Sequence, residues 1–122
     1  MAHLIGHVNG VIIERSEDLQ AIMTRVADVC KFHVVAQAFH QFQPVGTTGV
    51  FVLAESHFSA HTYPENKMVY IDVFCCAKDF DPDACSVVIE REFGSTSGTW
   101  QIIQRPVNDQ HELHLTPSQT MP

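Results

Sequence analysis

The segment 53–65 places a dense run of polar side chains between two runs with strand character. Residues 50–53 lead into it as an apolar strand, and residues 68–74 leave it as another. The segment itself carries two acids, two serines, two histidines, a threonine and a tyrosine. A connection between two strands needs only turn-forming residues. The sequence therefore predicts that this segment contributes catalytic or binding residues.

Helical and strand periodicities follow one another in the order β-α-β-β-β-β-α-β. Apolar residues at helical spacing predict a helix over 17–30, with Ser16 as its N-cap. Asp81 before Pro82 predicts the start of a second helix, which continues to about residue 93. Alternating β-formers predict the strands, and a turn is expected at 44–49. The expected strands are 3–13, 33–43, 50–55, 57–62, 67–76 and 99–105. This order predicts an α+β fold, a two-layer α/β sandwich whose antiparallel-rich sheet carries both helices on one face.

Length and composition indicate a single globular domain over residues 1–122. The chain is 45% hydrophobic and 17% charged, which is ordinary for a folded protein. No apolar run approaches the roughly 18–20 residues that span a bilayer, and the N-terminus lacks a signal-peptide pattern. A net charge of −7 with scattered basic residues argues against nucleic-acid binding. Residues 106–122 are rich in proline and are expected to form an extended tail.

The four cysteines do not have the spacing of a metal or redox motif. They stand at positions 30, 75, 76 and 85, with no Cys-x-x-Cys pair among them. The sequence therefore predicts no metal site and no thioredoxin-like site. A reduced, cytoplasmic protein is the simplest interpretation.

Three stretches resemble motifs of the bacterial and archaeal S-adenosylmethionine decarboxylase proenzymes. Residues 55–65 read Glu-Ser-His-Phe-Ser-Ala-His-Thr-Tyr-Pro-Glu, and the family has Glu-Ser-His-hydrophobic-Ser/Thr-Ile-His-Thr-Trp-Pro-Glu. Residues 72–76 read Asp-Val-Phe-Cys-Cys, where the family has Asp-x-Phe-Thr-Cys. Upstream, residues 39–49 are similar to the family's Phe-His-x-Phe-x-Pro-x-Gly-x-Ser-Gly. The resemblance covers about residues 17–90. The chain departs from the pattern at Tyr63, at 66–70 and at Ala77.

The resemblance implies an enzyme that makes its own pyruvoyl cofactor. Ser56 would attack the carbonyl of Glu55, and the chain would split between them into a β chain, 1–55, and an α chain, 56–122. The new N-terminus at position 56 would carry the pyruvoyl group, which holds the substrate amine as a Schiff base. His61 and Thr48 match the family's processing positions.

Further positions match the family's decarboxylation machinery. Cys76 matches the proton donor, and Cys75 is expected to face away from the site in a structural role. Glu65 matches the acid that holds the ribose hydroxyls of the substrate. Phe42 and Tyr63 lie at aromatic positions that could stack on a purine or a sulfonium. Ordinary core packing is the alternative for these two rings.

The implied function is decarboxylation of S-adenosylmethionine in spermidine (polyamine) biosynthesis, by a homodimer of processed αβ protomers. A pyruvoyl-dependent arginine or ornithine decarboxylase on the same scaffold is the first alternative, because the departures at Tyr63 and 66–70 lie where the distal part of the substrate should bind. A non-catalytic regulatory homologue is the second. The intact Ser56, His61 and Cys76 argue against it.

Overall fold

The computed structural model describes residues 1–106, and the elements follow the predicted order. The strands are β1 (Ala2–Asn9), β2 (Val34–Gln41), β3 (Thr47–Leu53), β4 (Ser56–Tyr63), β5 (Met68–Cys75) and β6 (Ser97–Gln104). The helices are α1 (Ser16–Cys30) and α2 (Pro82–Phe93), and a single 3₁₀ turn, Pro64–Asn66, joins β4 to β5. The expected tail lies almost wholly outside the described residues.

The six strands form one sheet in the order β2-β3-β4-β5-β1-β6, and every neighbouring pair is antiparallel. Strands β4 and β5 occupy the centre, so the polar segment of the sequence lies in the middle of the sheet. The two-residue turn Ala54-Glu55 joins β3 to β4, with Leu53 paired to Ser56. This antiparallel sheet confirms the predicted sheet type.

Both helices cover the same face of the sheet, which confirms the predicted two-layer sandwich. Helix α1 packs on β2 and β3, α2 packs on β1 and β6, and the helices touch each other. Alternate residues of the central strands face the helices and are buried, as a half-buried sheet requires. The largest fully buried side chains include Phe51, Phe58, Leu4, Leu19, Met23 and Ile89.

Helix α2 begins and ends as its sequence predicts. The Asp81 side chain accepts a hydrogen bond from the Ala84 N–H at 3.1 Å, and Pro82 occupies the first turn. Gly94 ends the helix with φ of 66°, a left-handed conformation that glycine adopts at little cost.

Three predicted boundaries were wrong. Ser16 does not cap α1, since Arg15 holds the N-cap position and the Ser16 hydroxyl lies 2.7 Å from Thr47 Oγ1 instead. Strand β1 ends at Asn9, because Gly10 takes φ of 77° and turns the chain. The predicted turn at 44–49 is shorter, because Thr47 already pairs with Gln41 as the first residue of β3.

The face of the sheet away from the helices, called here the open face, is rich in histidine. Strand alternation places His3, His7, His40, His57 and His61 on it. Apolar side chains are exposed on the same face, namely Val52, Tyr70 and Ile103. Within residues 1–106, no helix is long and apolar enough to cross a membrane.

Candidate active site

The carbonyl group of Glu55 accepts two hydrogen bonds from one residue. Ser56 pairs with Cys75 across β4 and β5, so the antiparallel register brings Cys76 next to Glu55. The Cys76 N–H donates to the Glu55 oxygen at 3.1 Å, and the Cys76 thiol donates to the same oxygen at 2.8 Å. Two donors on one carbonyl oxygen stabilise negative charge on it. This arrangement favours nucleophilic attack at the Glu55 carbonyl carbon.

Ser56 itself has an unusual backbone conformation. Its φ is 156°, in the positive range that residues with a side chain rarely adopt. Such a conformation costs on the order of 1–3 kcal/mol and persists only where the surroundings impose it. Here the tight turn and the pairing of Ser56 with both Leu53 and Cys75 impose it. The peptide bond preceding Ser56 is therefore both polarised and conformationally strained.

A second group of predicted site residues lies on the open face at a different place. Thr48 and His61 are direct cross-strand partners on β3 and β4, and Thr48 Oγ1 lies 2.5 Å from His61 Nδ1. The Phe42 ring packs edge-on against the His61 ring at 5.7 Å between centroids. The hydroxyl fixes the orientation of the imidazole and leaves its Nε2 atom available for proton transfer.

A cavity of about 200 Å³ opens beside His61, at the end of β4. The residues that line it include all three predicted substrate-binding residues, Phe42, Tyr63 and Glu65. Phe42 is 40% exposed and Tyr63 is 39% exposed, so neither ring is part of the buried core. Ordinary core packing therefore does not account for these two aromatic residues.

The two groups lie far apart within one chain. Ser56 begins β4 and His61 stands five residues further along the same strand. At about 3.3 Å per residue in a strand, their Cα atoms are about 16 Å apart. The Glu55–Ser56–Cys76 group and the Thr48–His61 group with its cavity are two halves at opposite ends of the strand. The resemblance implied that His61 and Thr48 act at the Glu55–Ser56 bond, and one chain alone does not bring these residues together.

Gln41 supports the loop beside the cavity and was not singled out by its sequence. Its side-chain amide donates to the carbonyl oxygens of Glu14, Phe42 and Gly46 at 2.8, 3.1 and 2.9 Å. Its oxygen accepts from the Ser16 N–H at 2.7 Å. These bonds hold the loop that carries Phe42. The residue lies within the Phe-His-x-Phe motif, and that position is the only sequence signal that could have identified it.

The remaining cysteines lie on the helix side of the sheet. Cys75 is buried there, as expected for a side chain that faces away from Cys76, and burial raises the pKa of its thiol. Cys30 and Cys85 join the two helices with their sulfurs 3.9 Å apart. The hydrogen bond between these thiols lowers the pKa of Cys30 and raises the pKa of Cys85. All three line a cavity of about 380 Å³ that also touches Glu55.

Several known proteins are similar to this chain in sequence and in fold. The family model described as S-adenosylmethionine decarboxylase matches residues 2–106. An S-adenosylmethionine decarboxylase proenzyme of Symbiobacterium thermophilum is 34% identical over 119 residues, which cover 93% of this chain and 90% of that protein. A proenzyme of the same name from Hydrogenobaculum is 36% identical over 100 residues, covering 80% of this chain and 72% of the other.

A solved structure agrees with these sequence matches. The crystal structure of the adenosylmethionine decarboxylase from Aquifex aeolicus superposes with a TM-score of 0.80 at 26% identity, covering 91% of this chain and 94% of that one. The family model extends over nearly the whole described chain and includes the Glu55–Ser56 turn and both halves of the site. The chain therefore belongs to the S-adenosylmethionine decarboxylase family.

Proposed function

We propose that this chain is a proenzyme that cuts itself between Glu55 and Ser56 and then decarboxylates S-adenosylmethionine. The observation that carries the proposal is the pair of Cys76 hydrogen bonds to the Glu55 carbonyl, directly before a serine with φ of 156°. A structural turn requires neither feature. The hydrogen bonds and the strained backbone would both favour attack of the Ser56 hydroxyl on the Glu55 carbonyl.

The cleavage needs only groups of the protein and one water molecule. Ser56 Oγ adds to the Glu55 carbonyl carbon, the C–N bond breaks, and the acyl group moves from nitrogen to oxygen as an ester. A base then removes the Ser56 Cα proton, and the Glu55 carboxylate leaves. Water replaces the nitrogen of the resulting dehydroalanine, ammonia departs, and a pyruvoyl group remains at position 56. The Cys76 donors stabilise the oxyanion of the first step.

The base in this scheme is His61, and it acts on a partner chain. Within one chain the Cα atoms of His61 and Ser56 are about 16 Å apart, as strand geometry requires. A two-fold dimer formed by the open faces solves this problem, because such an interface brings residue i against residue j in two equivalent places. With the β4 strands antiparallel across the axis, the Ser56 end of one chain meets the Thr48–His61 end of the other.

The composition of the open face supports this dimer. It exposes apolar side chains, Val52, Tyr70 and Ile103, which a second sheet would bury at a separation of about 10 Å. The dimer would then hold two complete sites, each with Glu55, Ser56 and Cys76 from one protomer. The partner's Phe42, His61 and Glu65 would complete each site.

Decarboxylation follows from the same arrangement. A pyruvoyl group at position 56 supplies an electron sink for the bond that breaks when carbon dioxide leaves. The Cys76 thiol is exposed and lies one residue from the pairing partner of Ser56, so it can return a proton to the substrate carbon. Cys76 would thus donate hydrogen bonds to the Glu55 carbonyl during cleavage and donate a proton to the substrate carbon during decarboxylation.

The cavity beside His61 supports an adenosyl substrate. Glu65 supplies a carboxylate for two ribose hydroxyls, and the exposed rings of Phe42 and Tyr63 offer faces for a purine and a sulfonium. Arginine and ornithine have no ribose or base to use these groups. The product would enter spermidine biosynthesis, and the free thiol needed at Cys76 fits a reducing cytoplasm.

A comparison of substrates tests this assignment. Release of carbon dioxide from S-adenosylmethionine, arginine and ornithine is measured side by side with the same protein. We expect turnover of S-adenosylmethionine alone, and Glu65→Gln should raise KM for it by tenfold or more because the ribose loses a charged acceptor. Turnover of arginine or ornithine in preference would assign the chain to the alternative substrates. Failure on all three substrates would favour a regulatory homologue.

A further inference from the structure

Three side chains on the open face converge on one point near the Ser56 end of β4, and none of them belongs to either half of the active site described above. His3 of β1 and His57 of β4 flank Asp72 of β5, and we call them the His–Asp–His cluster. Nε2 of His3 lies 2.7 Å from Asp72 Oδ1, and Nε2 of His57 lies 3.2 Å from the same oxygen. The three atoms all lie within 4.8 Å of one another. Neither cleavage nor decarboxylation, as proposed above, uses this convergence.

The strands and one aromatic ring hold the cluster in place. Phe74 is the cross-strand partner of both His3 and His57, so the three rings form a row across β1, β5 and β4. Its ring centroid lies 5.3 Å from that of His3 and 6.0 Å from that of His57. The two histidines meet edge to face at 6.2 Å. Ligands carried by central strands and packed in this way are preorganised.

Two imidazole nitrogens and a carboxylate oxygen form a donor set for a divalent transition-metal ion. Zinc binds such ligands at about 2.0–2.2 Å, which places tetrahedral ligand atoms about 3.3 Å apart. The two Nε2–Oδ1 distances, 2.7 and 3.2 Å, are already close to that separation. In a single chain the side chains of His3, Asp72 and His57 are 15%, 37% and 41% exposed, so an ion can reach them before two open faces pair.

We propose that the His–Asp–His cluster binds one divalent transition-metal ion, with Zn²⁺ as its representative. The ligands are Nε2 of His3, Nε2 of His57 and Oδ1 of Asp72. The fourth ligand would be a water molecule on the side away from the sheet, which faces the second sheet in the proposed dimer. The bound ion joins β1, β4 and β5 and lies one residue from Ser56 along β4. This site was not expected from the sequence, because its ligands stand at positions 3, 57 and 72 with no recognisable spacing.

Cobalt titration of the purified protein tests the site independently of cleavage and turnover. Co²⁺ in a four-coordinate nitrogen and oxygen site gives a visible d–d absorption, whereas thiolate ligands add a near-ultraviolet charge-transfer band. Equilibrium dialysis gives the stoichiometry, and Zn²⁺ competition gives the affinity for zinc. We expect one ion per chain, no thiolate band, and displacement of Co²⁺ by Zn²⁺.

Variants assign the ion to the cluster. His3→Gln keeps a donor to Asp72, and Asp72→Asn keeps an oxygen acceptor, so both should fold. Each should weaken Co²⁺ and Zn²⁺ affinity by at least tenfold and abolish the metal-dependent rise in melting temperature. His7→Gln is the matched control on the same strand and face, and it should bind as the wild type does. Absence of binding, a thiolate band, or equal affinity in all variants would overturn the proposal.

Discussion

At the scale of single residues, Cys76 connects the two chemical stages of the proposed reaction. Its main chain and its thiol both donate to the Glu55 oxygen, at 3.1 and 2.8 Å. Only the thiol is lost when the side chain is shortened. The two stages should therefore respond differently to a change at this residue.

Cys76→Ala should still cut the chain, since the backbone donor to Glu55 remains. We expect slower cleavage and a fall of about 100-fold or more in decarboxylation, the usual loss when a positioned proton donor is removed. Gel analysis of cleavage and carbon dioxide release from the cleaved protein measure the two effects separately. Cys75→Ala is the control, because that thiol is buried on the other side of the sheet. Wild-type turnover in Cys76→Ala would exclude Cys76 as the proton donor.

At the scale of secondary structure, close packing against Gly6 sets the pairing of β1 with β6. A Cβ atom at Gly6 would stand 2.1 Å from the Thr99 carbonyl oxygen and 2.7 Å from the Trp100 ring. The Trp100 indole N–H donates to Glu90 of α2 at 2.8 Å, so this ring also joins the sheet to the helix. The backbone atoms of a paired strand cannot move aside to relieve such a clash, whereas a flexible side chain can.

Gly6→Ala should therefore destabilise the fold by about 3 kcal/mol, as overpacking against backbone does. Urea unfolding in a Ser56→Ala background keeps the chain in one piece and measures this loss. Gly94→Ala is the matched control, since its Cβ would meet no atom within 4 Å. It should lose only about 1 kcal/mol from its left-handed φ. Equal losses in the two variants would show that the β1–β6 contact is not tight.

The elements were largely predictable from local sequence, whereas the arrangement of the candidate site residues in two separate groups was not. Helix α2 followed from Asp81 and Pro82, because a helix start depends on neighbouring residues. The predicted N-cap at Ser16 was wrong, because the Ser16 hydroxyl hydrogen-bonds with Thr47 instead. Thr47 is 31 positions away, and no rule based on neighbouring residues reveals this contact. The motif pointed to Ser56 and His61 as site residues. Only the structure shows that an extended strand keeps these two residues far apart within one chain. The His–Asp–His cluster depends on three strands that are distant in sequence.

At the scale of the whole molecule, the two halves of the site imply that a protomer cannot process itself alone. His61→Ala keeps its own Glu55–Ser56 bond and lacks the base, whereas Ser56→Ala keeps the base and lacks the nucleophile. Neither variant should cleave by itself. In a mixed dimer, one intact site forms from Ser56 of the first chain and His61 of the second.

Co-expression of these two variants with different tags should restore cleavage, and only the His61→Ala chain should be cut. The cleaved fraction of the His61→Ala chain should not exceed the fraction of that chain that lies in mixed dimers. Purification by the two tags measures this second fraction. Two copies of Ser56→Ala serve as the control and should remain whole. If His61→Ala alone is cleaved at the wild-type rate, His61 is not the base.

The intact mass of freshly purified wild-type protein shows directly whether the chain cuts itself between Glu55 and Ser56. We expect two chains, residues 1–55 and 56–122, with a carbonyl group in place of the amine at position 56. Labelling with a hydrazine should mark only the second chain, and Ser56→Ala should give one unlabelled chain of 122 residues. A single uncut wild-type chain would contradict the account, as would a cut chain that begins with an ordinary serine amine.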